Sequence, residues 1–299
     1  MAETNATKKG TLFSPELVTE IMSLVKGHST LAKLSDQKPI PFIGTTEFVF
    51  SLDGNAQIVG EGEKKQAGKA SLTPKVIAPV KFMYQARVTD EFLRASEEKK
   101  VNFLKTYAEG FSKKIAEAFD IAAIHGLEPK TMTDATFKGT NSFDGLVTGN
   151  VVNFAAATVD DNLDAAIQTL VDKEVTGIAL SPTASQALSK IKDKNGVAIY
   201  PEFKFGARPE QFYGTPLDIN KTLQLKSTTG KADHAIVGDF ASAFKWGYAE
   251  NIPLEIIEYG DPDGTGRDLK AFNEILLRAE AYIGWGILDE KAFARVVEA

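Results

Sequence analysis

Between Glu97 and His125, Val101, Leu104, Ala108, Phe111, Ile115, Ala118 and Ala122 recur at alternating steps of three and four residues, the spacing of a helix with one buried face. At about 1.5 Å per residue this segment is a rod of roughly 40 Å, longer than a compact domain of this size usually needs. Any fold built on it is drawn out along the rod, and other elements must cover its apolar side. Upstream stands a second elongated feature. Thr46 to Leu52 (TEFVFSL) is strongly β-forming and leads through Asp53-Gly54 and a charged, glycine-punctuated stretch to a second β segment, Leu72 to Val88. Together they predict a long two-stranded arm. Between Gly60 and Lys81 there are five lysines and two glutamates, so the arm is locally basic on a chain of net charge -6. A charge run of this kind reads by default as a solvated hairpin tip.

The remaining elements alternate in type. Residues 1 to 13 are polar and read as an arm, and Ser14-Pro15-Glu16 sets an N-cap and first-turn proline before a helix carrying Leu17, Ile21, Leu24 and Val25, ended at Gly27. Leu31 to Leu34 adds a short turn. Beyond Gly126, residues 127 to 150 form a loop-rich crossover. Then come a helix over Asp160 to Glu174, a strand at Gly177 to Leu180, and a helix capped by Ser181-Pro182 and running to Lys192. A turn at Lys194-Asn195-Gly196 leads to strands near Val197 and at Pro216 to Ile219. From Ala235 the chain is β-rich (AIVGDF, AFKWGYA, IPLEIIEY). A strand follows over Asn273 to Ile287, with Ala279, Ala281, Ile283, Trp285 and Ile287 on one face, and a terminal helix over Asp289 to Val297.

Composition narrows the function classes. The 299 residues hold no cysteine, which excludes disulfides, thiol nucleophiles and cysteine-ligated zinc. The acidic balance argues against whole-surface nucleic-acid binding. No run approaches the length of a signal peptide core or a membrane span, so synthesis in a cytoplasm and no membrane partner are expected.

A search for catalytic constellations returns little. Five residues separate Gly62 from Gly68-Lys69 where a phosphate loop needs four, and Ala70 stands where a magnesium-binding hydroxyl belongs. The chain also runs on into two prolines, Pro74 and Pro79, instead of the helix such a loop must enter. His28, His125 and His234 are isolated in sequence and read as structural or surface residues. Asp261-Pro262-Asp263-Gly264-Thr265-Gly266 offers oxygens at calcium-loop positions 1, 3 and 5, but Phe272 replaces the bidentate glutamate at position 12, and the stretch reads as a β-turn. No cofactor, metal site or catalytic residue is expected.

Several stretches, taken in order, carry a resemblance that covers nearly the whole chain. They are SPELVTEIMSLV; IVGEGEKKQAGKASLTPKVIAPVKFMYQARVTDEFLRAS; the helix ending FDIAAIHG; SPTASQALSKIKDKNGVAIY; YGTPLDIN; AIVGDFASAFKWGYAENIPLEI; and ILLRAEAYIGWGILDEKAFARV. In this order they resemble the major capsid proteins of tailed bacteriophages with the Hong Kong 97 phage fold. The resemblance implies an α+β fold with an N-terminal arm (1–45), an extended loop (46–88), a peripheral domain with a long spine helix (89–127 and 246–299) and an axial α/β domain (128–245). It also implies a structural subunit of the virion, a phage or prophage head protein that assembles as pentamers and hexamers into an icosahedral shell around double-stranded DNA contacted non-specifically. A portal and a separate scaffolding protein are the implied further partners. Glu61, Glu63, Lys64, Lys65 and Lys69, at the extended-loop tip, are the expected inter-subunit contacts. Two other readings stay open: an encapsulin-type nanocompartment shell enclosing enzyme cargo, which shares the fold, and a soluble α/β enzyme, which the missing constellations disfavour.

Overall fold

The computed structural model describes residues 24–25, 27–53, 58–59, 61, 69–91, 97–227, 230–249 and 254–299. A short helix α1 (Thr30–Leu34) precedes β1 (Thr45–Asp53), β2 (Lys69–Ile77), β3 (Pro79–Thr89) and the long helix α2 (Glu97–Asp120), which ends in a π-helical turn, Ile121–His125. Next come β4 (Leu127–Glu128), β5 (Thr133–Asp134), α3 (Phe143–Leu146), β6 (Val151–Asn153), α4 (Val159–Gln168), β7 (Gly177–Leu180) and α5 (Pro182–Leu188). β8 (Gln211–Phe212), β9 (Thr215–Ile219), β10 (Asp233–Gly238), β11 (Phe244–Tyr248), β12 (Leu254–Ile257), β13 (Glu274–Ile287) and β14 (Phe293–Val297) complete the described strands.

Two sheets organise these elements. β13 is the axis of a four-stranded antiparallel sheet: β3 pairs along one edge from Thr89↔Glu274 to Pro79↔Gly284, and β11 and β12 lie end to end on the other. The face of β13 bearing Ala279, Ala281, Ile283, Trp285 and Ile287 is buried, as the alternation predicts. Against it packs α2 with Ala108, Phe111, Ile115 and Phe119, the last 5.5 Å from Trp246 and 5.7 Å from Trp285 by ring centroids. Gly126, at φ 62°, takes the left-handed conformation that closes this long helical run. The second sheet has the order β6-β14-β10-β7-β9-β8, mixed in direction, with β14–β6 and β7–β9 parallel. Helices α4 and α5 bury Leu163, Ala166, Ala184 and Leu188 against it.

Several sequence expectations change. The β segment over 72–88 is two strands broken at Ala78: β2 pairs with β1 in the arm, while β3 leaves the arm for the four-stranded sheet. The expected terminal helix is a 3-10 turn, Glu290–Ala292, followed by β14. Phe293 to Val297 are buried without exception, because β14 lies between β6 and β10 in the sheet interior. A short run buried on both faces, apolar except for Arg295, lacks the alternation that would mark it as a strand. The helix expected over 160–174 stops at Gln168 and that expected to reach Lys192 stops at Leu188. Near Val197 there is only an isolated bridge, Lys192↔Ala198. The first helix lies outside the described residues except near its end, where Gly27 and His28 are still helical and Ser29 caps α1.

The segment following α1 adds a parallel edge to β11: the Lys38 amide donates to the Trp246 carbonyl at 2.9 Å, and the Ile40 amide to that of Tyr248 at 3.4 Å. A Cβ on Gly247 would stand 1.7 Å from the Lys38 carbonyl oxygen, a backbone atom with nowhere to go. Gly247→Ala is therefore expected to destabilise the subunit by about 1–3 kcal/mol through overpacking. The measurement is urea unfolding, which should show a lower midpoint at an unchanged slope. A midpoint equal to the parent's would refute the close packing.

Candidate inter-subunit surface

The arm is a regular antiparallel ribbon in register from Thr45↔Ile77 to Asp53↔Lys69. Directly opposed residues share a face, so Thr46/Val76, Phe48/Pro74 and Phe50/Leu72 form one side and Glu47/Lys75 and Val49/Thr73 the other. The second side is tied to its own chain: Glu47 pairs with Lys245 at 2.7 Å and Lys75 with Glu290 at 3.4 Å. The first side is apolar and open, with Phe48 62%, Phe50 61%, Leu72 59% and Val76 69% exposed. Pro74 lacks an amide hydrogen and is tolerated because β2 is an edge strand.

The ribbon is rooted in the four-stranded sheet. Ile77 is buried, and β13 has glycine at the two positions beneath it: a Cβ at Gly286 would approach Ile77 Cγ1 to 2.8 Å, and one at Gly284 would approach Ile40 Cδ1 to 3.0 Å. These glycines open a socket for two isoleucines at the arm's base.

Of the contact residues expected from sequence, Glu61 is exposed and Lys69 pairs through its backbone with Asp53, whereas Glu63, Lys64 and Lys65 lie outside the described residues. The aromatic stripe on the shaft was missed. Its signal was present in TEFVFSL, where Phe48 and Phe50 are two apart and so fall on one face.

The loop resembling a calcium site does converge its oxygens, but on the chain's own cation. Arg87 donates to Asp261 Oδ1 at 2.9 Å, Asp263 Oδ2 at 2.8 Å and Thr265 Oγ1 at 2.7 Å, and its remaining nitrogen reaches Glu274 Oε2 at 3.0 Å. This guanidinium holds the Asp263 carboxyl well below its ordinary range. His125, Asp144 and Asp233 likewise have metal-ligand spacing, and Arg295 serves them as cation. Its Nη2 donates to Asp233 Oδ1 at 2.9 Å and also to Asp144 Oδ1, while Nη1 donates to the Asp144 and Val147 carbonyls at 3.3 Å. Burial alone would lower the His125 pKa, but the Asp144 carboxylate outweighs it and raises it. Both ring nitrogens face acceptors, Asp144 Oδ2 at 3.2 Å and the Thr222 carbonyl at 2.8 Å, an arrangement that favours the protonated ring, which alone can donate to both. Burial, aided by the Asp144 charge, pushes Asp233 up to about 7 despite Arg295. The Arg295 cluster joins the turn after α2, α3 and two strands of the six-stranded sheet, the Arg87 cluster ties β3 and β13 to the loop around Asp261, and in both the charged groups pair chiefly with one another. They work as struts and leave no nucleophile poised over a cleft.

A profile of the phage capsid family matches residues 9–297. The chain is 29% identical over 306 residues to the major capsid protein of Staphylococcus phage 80alpha, covering 98% of this chain and 86% of that one. A solved structure from Mycobacterium phage Ogopogo superposes with a TM-score of 0.76 at 32% identity, covering 91% of this chain and 92% of its own. One from Gordonia phage Cozz gives 0.73 at 25% identity, covering 91% and 87%.

Proposed function

The chain belongs to the phage capsid family as a major capsid protein of tailed phages, and from that premise we propose that it closes an icosahedral shell, as pentamers and hexamers, around double-stranded DNA. It is a structural component of the virion with an α+β capsid fold, it assembles into multimeric shells, and its relatives are structural proteins, not enzymes. The nanocompartment reading loses its place, since the relatives are phage head proteins. Within the subunit we assign an N-terminal arm to residues 1–45 and an extended loop to 46–88, whose last strand, β3, is shared with the sheet of β13. A peripheral domain spans 89–127 and 246–299, lending β14 to the neighbouring sheet, and an axial domain spans 128–245. Portal and scaffolding proteins are the proposed partners, and the host bacterial cytoplasm the proposed site of synthesis.

The observation that carries this reading is the ribbon: an isolated folded protein seldom leaves an apolar face of this kind open, whereas a shell subunit needs surfaces that only a neighbour completes. The net charge of -6 suits a container that must not grip packaged DNA tightly. Electron microscopy of the purified protein is the test. Thin-walled particles or five- and six-membered capsomers are expected, and a population of small oligomers alone, at any concentration, would refute the proposal.

We further propose a shell without covalent welds. A lysine to asparagine isopeptide bond would need Lys64, Lys65 or Lys69, with Asn273 and a nearby carboxylate free to take a proton. Glu274, the carboxylate next to Asn273, is already engaged by Arg87 at 3.0 Å and Arg267 at 2.7 Å. Boiled particles are expected to run as one band near 32.4 kDa on a denaturing gel. A surviving ladder of oligomers would show a cross-link.

A further inference from the structure

We infer that Asp120, the last residue of α2, is a proton-operated latch on helix α1: as a neutral acid it holds α1 against the subunit, and as a carboxylate it lets α1 lift away. The latch belongs to the single subunit and does not depend on the shell reading. Asp120 is fully buried where α1, α2 and the turn after β9 meet. At the start of α1 its oxygens accept from the Ser29 hydroxyl at 2.6 Å, the Thr30 amide at 2.9 Å and the Leu31 amide at 3.4 Å. In the turn after β9 they accept from the Asn220 side-chain amide and the Thr222 hydroxyl, both at 3.4 Å. All five donors are neutral. Asp218 holds the other side of α1, where the Thr30 hydroxyl donates to Oδ2 at 2.6 Å and Lys33 Nζ to Oδ1 at 2.7 Å. Helix α1 is thus threaded between two carboxylates, and its lysine serves Asp218.

Two effects compete at Asp120, because the hydrogen bonds favour its charged form and burial disfavours it. Burial wins, aided by the Asp218 charge, and pushes the carboxyl up to about 7. Protonation turns one acceptor into a donor, but three of the five contacts are at 3.4 Å, long for hydrogen bonds, so little is lost. When α1 lifts, Asp120 meets water and returns to its ordinary 3.8. Between those two values closing the latch takes up a proton, so the hold on α1 is full at low pH and is lost as pH rises through about 7. Val25, Leu31 and Ala32 are buried beside it and keep the closed form in place by apolar contact.

Other charges face the latch. Glu117 of α2 pairs with Lys221 after β9 at 2.9 Å and with Lys114 at 3.5 Å. Burial and the charges of Lys113 and Lys33 lower the pKa of His28, whose carbonyl accepts from Asn220 at 3.2 Å. Thr222 links Asp120 to the buried cluster of His125, Asp144 and Asp233, since its hydroxyl donates to Asp120 while its carbonyl accepts from His125 at 2.8 Å.

Hydrogen exchange of the full-length protein tests the latch, followed over residues 28–35 and, as a control for global unfolding, over β13, with intrinsic rates corrected for pH. Residues 28–35 are expected to exchange faster than β13 at every pH, as local opening requires. Their opening equilibrium should rise about fiftyfold between pH 5 and pH 7 and level off above, as follows from one carboxyl that titrates at about 7 when closed and 3.8 when open. Asp120→Asn keeps the size of the side chain but does not titrate, and its opening equilibrium is expected to agree at the two pH values within about twofold. His28, His125 and Asp233 remain in that variant, so a fiftyfold rise that survives it would assign the proton to one of them and overturn the inference. A flat profile in the parent, which requires no variant to fold, would overturn it as well, and so would exchange of 28–35 in step with β13.

Discussion

Arg295→Met is expected to cost the folded subunit about 3–5 kcal/mol, because it strips the cation from the fully buried Asp233 and a partner from the partly buried Asp144. Asp233 is fully buried and its Oδ2 already has no hydrogen-bond partner among the described residues, so Arg295 is the main compensation for whatever charge it carries. The loss depends on pH with a definite sign. Asp233 has a folded pKa pushed up to about 7, above its ordinary 3.8. Between those values the folded state holds a proton that the unfolded chain releases, so this group's contribution to stability falls as pH rises. Removing Arg295 pushes the folded pKa higher still. The deficit of the variant is therefore smaller at pH 5, where Asp233 is neutral in both proteins, and larger at pH 8, where the parent ionises it against Arg295. Chemical unfolding at the two pH values measures this. Arg295→Met/Asp233→Leu should recover part of the loss, since a buried ion pair replaced whole by apolar groups is often neutral. Equal deficits at pH 5 and pH 8 would show that the charge of Asp233 plays no part.

Excising the ribbon is expected to abolish shells and leave the subunit folded. Thr45 and Ile77 are opposite each other in register, so a two-residue Asn-Gly turn can replace residues 46 to 76 without moving either end. Among the described residues, neither hydrophobic core draws one from that span: one gathers around Phe111, Phe119, Trp246 and Trp285, the other around Leu163, Leu180, Leu188 and Val237. Circular dichroism should keep the helical signal, and sedimentation should show monomers where the parent gives particles. Insolubility with loss of that signal would mean the ribbon is needed for folding. Particles of parental size would mean it is dispensable for assembly.

The legibility of the chain divides along physical lines. Helix α2, strand β7, the Ser181 cap and the buried face of β13 were readable because each is specified by neighbours in sequence: an apolar repeat, a capping hydroxyl, an alternation of period two. The same holds for the existence of the arm, and an acidic, cysteine-free composition without catalytic constellations pointed away from chemistry. β14 was misread as a helix because its five buried residues show no alternation, and only pairing with β6 and β10 made them a strand. The break at Ala78 was invisible because both halves are equally β-forming, and β3 was diverted by a partner, β13, nearly two hundred residues away in sequence. Arg87 and Arg295 could not be matched to their carboxylates for the same reason. Ion pairs between residues so far apart in sequence leave no local pattern, and the loop around Asp261 shows its acceptors without naming the cation. Local periodicity, set by backbone geometry, determined which segments are helix or strand and that an arm projects. Long-range packing alone decided which strands share a sheet, which charges neutralise one another, and which face of the arm its own chain leaves uncovered, because burial is a property of the assembled surface and not of any stretch of sequence.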